Sequence, residues 1–128
     1  YEIHERLVGS EMCIRDSPQQ QAMVVTPVFP WDPELRFDHF SITLAPGALS
    51  ESTPHEKGVI EHVVVISGTL DLCVQGEWHS LQAGEGRRFA GDAAHAYRNR
   101  DVQVAHFHSL IHYPKEKTAG EPAARQDD

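Results

Sequence analysis

The chain has 128 residues, of which 40% are hydrophobic and 23% charged, a composition typical of one globular domain. Its formal net charge of −8 offers no overall positive field to nucleic acid or anionic lipid. No apolar run approaches the roughly 20 residues that a membrane helix requires. Two cysteines, Cys13 and Cys73, do not make a disulfide framework, which favours a reducing, cytoplasmic location. Nine histidines are a high count for this length.

The first seventeen residues show no helical or strand period and have no signal-peptide pattern. Residues 7–17 (LVGSEMCIRDS) resemble the translation of a sequencing-library adapter. Residues 1–17 are therefore expected to be a non-native segment. At the other end, residues 115–128 are polar and rich in Ala, Gly and Pro, which predicts a disordered tail.

Between these ends, short β-rich runs alternate with turn residues, and no helical stretch of convincing length is present. Strands are predicted over residues 22–29, 35–44, 59–66, 69–74, 77–81 and 102–113. Many short strands at this spacing predict an all-β sandwich or barrel, here over residues 22–114.

Two groups of residues carry the candidate chemistry. They are Gly47, His55, Lys57, Glu61 and Gly68, and then Gly84, His95 and Asn99. Their spacing resembles the two motifs of the cupin superfamily, which implies a small double-stranded β-helix, or jelly-roll, barrel. The match is incomplete. Lys57 stands where the first motif has its second histidine, and Ala90 and Asp92 replace the Pro and the Gly of the second motif.

A metal site is one interpretation of these groups. Strand alternation places Glu61 on the same face as Val63 and Val65, and His95 on the same face as Tyr97 and Asn99. If both faces point into the barrel and His55 joins them, two imidazoles and one carboxylate converge. Such a set suits Fe(II), Mn(II), Zn(II) or Ni(II) and leaves open positions.

Lys57 favours a different interpretation, because a protonated ammonium repels a divalent cation. In that alternative Lys57 pairs with Glu61 or with an acidic ligand, and no metal binds. The candidate ligand-binding residues are Lys57, Tyr97, Asn99 and His106. His106 and His108 alternate around Phe107 on the last strand, so they share a face, and one of them is a candidate for the pocket mouth.

Residues 44–113 are more specifically similar to the C-terminal sensor half of XRE-type transcriptional regulators. The similarity lies in LAPGALSESTPHEKGVIEHVVVISGTL, in GEWHSLQAGEGRRFAGDAAHAYRN and in the ending FHSLIHYP. It implies a homodimeric cupin domain that senses a small molecule. DNA would be contacted only through an N-terminal helix-turn-helix domain missing from this chain, with residues 18–21 as a linker remnant.

Two other functions remain open. The first is a free-standing metal-dependent cupin enzyme of isomerase or dioxygenase type, with His55, Glu61 and His95 on the metal. In that enzyme Lys57 or Tyr97 would transfer protons or bind substrate charge. The second is a purely structural dimerisation module.

Overall fold

The computed structural model describes residues 23–115, and the predictions for residues 1–17, 18–21 and 116–128 lie outside them. The described residues form nine strands. These are β1 (Met23–Pro27), β2 (Phe37–Leu44), β3 (Leu49–Ser52), β4 (Ile60–Ser67), β5 (Thr69–Val74), β6 (Glu77–Gln82), β7 (Gly86–Ala90), β8 (His95–Arg98) and β9 (Ala105–His112). None of this part of the chain forms a helix long and apolar enough to cross a membrane.

The strands form two antiparallel sheets around one apolar core. The five-stranded sheet has the order β1-β2-β9-β4-β7, and the four-stranded sheet has the order β3-β8-β5-β6. Buried side chains from both sheets, such as Leu44, Val65, Leu72 and Phe107, belong to the same core cluster. The prediction of an all-β jelly-roll fold is confirmed.

Strand alternation decides which side chains reach the interior. On β4, Glu61, Val63 and Val65 are buried at 1% exposure each, whereas Ile66 on the opposite face is 47% exposed. The same period of two governs β2 and β9, where every second residue is buried. The predicted inward face of β4 is therefore confirmed, and it carries one carboxylate among aliphatic neighbours.

A tight turn at Gly68 joins β4 to β5 and links the two sheets. Its φ of 81° lies in the left-handed region that favours glycine. A Cβ at this position would also lie 2.6 Å from the Val104 carbonyl oxygen, a distance that real Cβ atoms do not adopt. Residue 68 must therefore be glycine, because the loop before β9 packs directly against the backbone of this turn.

The last strand is shorter than predicted. Alternation alone places its start at residue 102, but β9 begins at Ala105. The reason is the Asn99 amide, which donates to the Gln103 carbonyl and accepts a hydrogen bond from the Asp101 amide. These bonds hold residues 99–103 in a loop and leave Val102 at 86% exposure.

Candidate metal centre

Three polar side chains from separate parts of the chain converge inside the barrel. Glu61 lies on β4, His95 is the first residue of β8, and His55 lies in the loop between β3 and β4. Their ligand atoms lie within 4.8 Å of one another, and Glu61 and His95 are both buried. Within residues 23–115, no other group of three metal-ligating side chains is this close. The structure therefore brings together the three residues that the sequence analysis selects.

The loop that carries His55 is tied to the loop that follows β7. The His55 amide donates to the Gly91 carbonyl at 2.9 Å, and the Gly91 amide donates to the Val59 carbonyl at 2.7 Å. A Cβ at Gly91 would lie 2.9 Å from Val59 Cγ1 and 3.3 Å from His55 Cδ2. A larger residue at position 91 would therefore displace the His55 ring or the backbone that holds it.

A backbone carbonyl sets the tautomer of His95. Its Nδ1 lies 2.8 Å from the Ala93 carbonyl oxygen, which can only accept a hydrogen bond. In the neutral imidazole this contact assigns the proton to Nδ1, and the lone pair then lies on Nε2. That nitrogen faces Glu61 Oε1 at 3.4 Å. The imidazole is therefore oriented as metal-bound histidines are, with the outer nitrogen donating to a carbonyl.

The two oxygens of the Glu61 carboxylate have different surroundings. Oε2 accepts hydrogen bonds from the Tyr97 hydroxyl at 2.5 Å and from the Ser109 hydroxyl at 2.7 Å. Oε1 lies 3.4 Å from His95 Nε2 and 3.8 Å from His55 Nε2. In the part of the chain that the structure describes, Oε1 and His95 Nε2 are buried without a hydrogen-bond partner.

These two atoms fit a divalent cation better than they fit a proton. A charge-assisted N–H···O bond would bring them to about 2.7–2.9 Å, but they are 3.4 Å apart. Ligand atoms about 2.1 Å from a tetrahedral ion are separated by roughly 3.4 Å. Two imidazole nitrogens and one carboxylate oxygen are also the donors that first-row transition metals accept. The residues present therefore suit a transition metal, and an incomplete ligand set leaves it open positions.

Aromatic side chains enclose the cluster. The His95 ring centroid lies 5.2 Å from that of Phe89 and 5.9 Å from that of Tyr97. The His55 ring lies edge-on to Tyr113 at 6.4 Å. Burial, followed by the charge of Glu61, raises the pKa of Tyr97 well above its usual value. The Tyr97 hydroxyl therefore stays protonated and remains a hydrogen-bond donor.

Of the predicted ligand-binding residues, the structure brings Tyr97 to the cluster but does not bring Asn99 there. Both amide hydrogens of Asn99 are used, since Nδ2 donates to the Leu44 carbonyl at 2.9 Å and to the Gln103 carbonyl at 2.8 Å. Its Oδ1 accepts from the Asp101 amide. The Asn99 side chain therefore organises the loop before β9.

Lys57 and His106 are also not among the residues of the buried cluster. Lys57 is exposed in the loop before β4, and no ion pair joins it to Glu61 among residues 23–115. The side chain of His106 bonds through Nε2 to Ser41 Oγ at 2.8 Å. It projects from the sheet face opposite to the buried Phe107, so it does not line the barrel interior.

Sequence reasoning missed Ser109, which supplies one of the two hydroxyl groups on Glu61. The alternation of inward and outward residues on β9 could have identified Ser109. The inward positions of that strand are Ala105, Phe107, Ser109 and Ile111, so the serine is the one polar residue in an apolar row. A buried hydroxyl in such a row needs a hydrogen-bond partner, and here the partner is the carboxylate of the neighbouring strand.

The fold and the His55, Glu61 and His95 cluster are those of a cupin barrel. The chain belongs to the cupin domain family Cupin_2, whose profile matches residues 40–111. It is 70% identical over 98 residues to the HTH-type transcriptional regulator SutR of Escherichia coli (strain K12). That alignment covers 77% of this chain and 55% of the regulator, so the chain spans about half the length of this curated relative.

Two solved structures of regulators are also similar. The Cupin_2 domain of an XRE family transcriptional regulator from Enterobacter cloacae is 69% identical, with a TM-score of 0.73. The match covers 74% of this chain and all of that one. An HTH_3 family transcriptional regulator from Vibrio cholerae is 33% identical, with a TM-score of 0.71, over 77% of this chain and 55% of that one. The predicted relation to XRE-type regulators is therefore confirmed.

Proposed function

We propose that this chain is the small-molecule-sensing cupin domain of an XRE-type transcriptional regulator. The ligand binds inside the barrel, on a divalent transition metal held by His55, Glu61 and His95. The observation that carries the proposal is the buried pair Glu61 Oε1 and His95 Nε2. These atoms lie 3.4 Å apart, and neither has a hydrogen-bond partner in residues 23–115. The similarity to SutR and to the Enterobacter cloacae domain supports the regulatory role.

Different residues of this chain would bind the metal ion and the small molecule. When bound, the ion supplies a Lewis acid with open positions for an oxygen or nitrogen atom of the ligand. His95 is held ready by the Ala93 carbonyl, and His55 by the backbone of Gly91. Lys57, exposed two residues after His55, would offer a positive charge to an acidic group on the ligand.

Ligand binding would regulate DNA binding indirectly. The ligand would favour one geometry of a homodimer, and that geometry would set the spacing of two helix-turn-helix domains. Such a domain lies outside the cupin fold, and the chain itself carries a net charge of −8, which disfavours contact with phosphates. A regulator of this kind acts in the cytoplasm.

Calorimetric titration with Zn(II) or Co(II) tests the metal site. The wild-type chain should bind one ion, and His95→Ala should remove binding because two protein ligands seldom hold an ion. His79→Ala is the matched control, since it removes an imidazole on β6 that belongs to no part of the cluster. Equal binding by the wild type and His95→Ala would overturn the assignment of the site.

The same donor set would also serve a free-standing enzyme of isomerase or dioxygenase type. SutR and the regulators from Enterobacter cloacae and Vibrio cholerae are all named as transcriptional regulators, which favours the sensor. Azide, a small anion that binds metal ions, is a suitable probe of the open positions. The visible spectrum of the Co(II)-loaded protein should change on azide titration, and an unchanged spectrum would contradict a ligand site on the metal.

A further inference from the structure

Two hydroxyl groups from opposite sheets hold one oxygen of the Glu61 carboxylate. Tyr97 lies on β8 of the four-stranded sheet, and Ser109 lies on β9 of the five-stranded sheet. Both donate to Oε2, at 2.5 Å and 2.7 Å, and neither donates to Oε1. The carboxylate is therefore asymmetric before any ion is considered.

A carboxylate can bind a metal ion through one oxygen or through both. Two hydrogen bonds to Oε2 occupy the lone pairs of that oxygen, whereas Oε1 faces the two histidines with its lone pairs available. A Glu61 that used both oxygens would have to give up the bonds from Tyr97 and Ser109. It would also fill one more position on the ion.

We propose that Tyr97 and Ser109 are positioning residues that present Glu61 to the metal through Oε1 alone and so keep a coordination position open for the sensed ligand. This inference rests on the proposed function, because it needs an ion at the cluster. The hydroxyl groups act only through Glu61 and do not themselves contact the ion. Their contribution is to select one of two binding modes of the same side chain.

Packing holds both hydroxyl groups in place. The Tyr97 ring lies 5.3 Å from the Phe107 ring and 5.9 Å from the His95 ring, so neighbours restrict its rotation. Ser109 is 1% exposed on a central strand, between Phe40 on β2 and Val63 on β4. Donors fixed in this way do not have to be ordered when the ion binds, which makes the single-oxygen geometry the resting state.

The test compares Tyr97→Phe, Ser109→Ala and the double variant with the wild type. Calorimetry measures Co(II) affinity, and azide titration of the fully Co(II)-loaded protein measures access to the open position. We expect Co(II) affinity to fall about ten- to a hundredfold in the double variant, as is typical when partners of metal ligands are removed. Azide affinity should fall further in the double variant, because the released Oε2 competes for the open position. Ser109→Thr keeps a hydroxyl group and should retain most of the wild-type behaviour.

Ser41→Ala is the matched control for Ser109→Ala. It removes a hydroxyl that is also hydrogen-bonded, but on β2 and on the outer face of the same sheet. Circular dichroism and thermal melting of the metal-free variants check that they fold.

Unchanged Co(II) and azide binding in the double variant would overturn the inference alone. Weaker Co(II) binding with unchanged azide affinity would show that the hydroxyl groups only stabilise Glu61, and would also overturn it. Absent Co(II) binding by the wild type would overturn both the inference and the proposed function.

Discussion

Replacement of Glu61 by glutamine should stabilise the metal-free protein while it weakens the metal site. The buried carboxylate presents Oε1 to His95 Nε2 at 3.4 Å, and neither atom has a hydrogen-bond partner in residues 23–115. A glutamine amide group in the place of Oε1 can donate to that nitrogen. Its carbonyl oxygen can still accept from Tyr97 and Ser109.

The size of the effect follows from these contacts. A buried polar atom without a partner costs about 1–3 kcal/mol, so satisfying two such atoms gains roughly 2–6 kcal/mol. The two hydrogen bonds on Oε2 lose their charge assistance, which costs about 1 kcal/mol each. The free energy of unfolding of Glu61→Gln should therefore exceed that of the wild type by about 2 kcal/mol, the middle of a range of about 0–4 kcal/mol. Each kcal/mol corresponds to about 4–8 °C in Tm for a domain of this size.

Urea unfolding in the presence of EDTA measures the difference. Glu77→Gln is the control, since its carboxylate is 81% exposed and its replacement should change stability by less than about 0.5 kcal/mol. With saturating Zn(II) the order should reverse, because an ion at a hundred times its Kd stabilises the wild type by about 2.7 kcal/mol. A Glu61→Gln variant that is less stable than the wild type in EDTA would refute the account of the facing acceptors.

Three further predictions concern Lys57, His39 and Ile66. Lys57→His places an imidazole where the first family motif has one and should tighten Zn(II) binding in calorimetry; weaker binding would contradict this. Burial, followed by the charge of His108, lowers the pKa of His39, so its stabilising contribution is present above about pH 6.5 and is lost as the pH falls below that value. His39→Gln should therefore flatten the acid side of the urea-midpoint profile, and an unchanged profile would be evidence against this cause. Light scattering should show a dimer whose interface covers the 47% exposed Ile66, and Ile66→Asp should give the monomer; a monomeric wild type would exclude this interface.

Strand alternation and motif spacing were sufficient to predict the fold and the three candidate ligands. The inward set of β4 follows from its period of two, and this places Glu61 among Val63 and Val65. The approach of His55 and His95 to Glu61 follows from the family resemblance, since the three residues lie on separate elements. These predictions state which residues lie close together in the fold, and the topology of the barrel determines this proximity.

The sequence alone does not show that Asn99 and His106 lie outside the cluster, because their positions depend on the three-dimensional fold. Asn99 has the amide of a ligand-binding residue, but the Leu44 carbonyl, 55 residues away, uses one of its hydrogens. His106 and Phe107 alternate, and alternation alone does not say which of the two faces inward. Phe107 faces inward because it lies in the same row of β9 as the buried residues Ala105 and Ile111. The asymmetry of Glu61 depends on hydroxyl groups from two other strands, and no local pattern encodes it.

Anomalous diffraction from crystals grown with Co(II) tests the metal centre most directly. Data collected at the cobalt absorption edge locate the ion without reference to any assumed ligand. We expect one strong peak inside the barrel, about 2.1 Å from Glu61 Oε1, from His95 Nε2 and from a ring nitrogen of His55. An empty barrel, or a peak confined to the outer face beside His39 and His108, would contradict it.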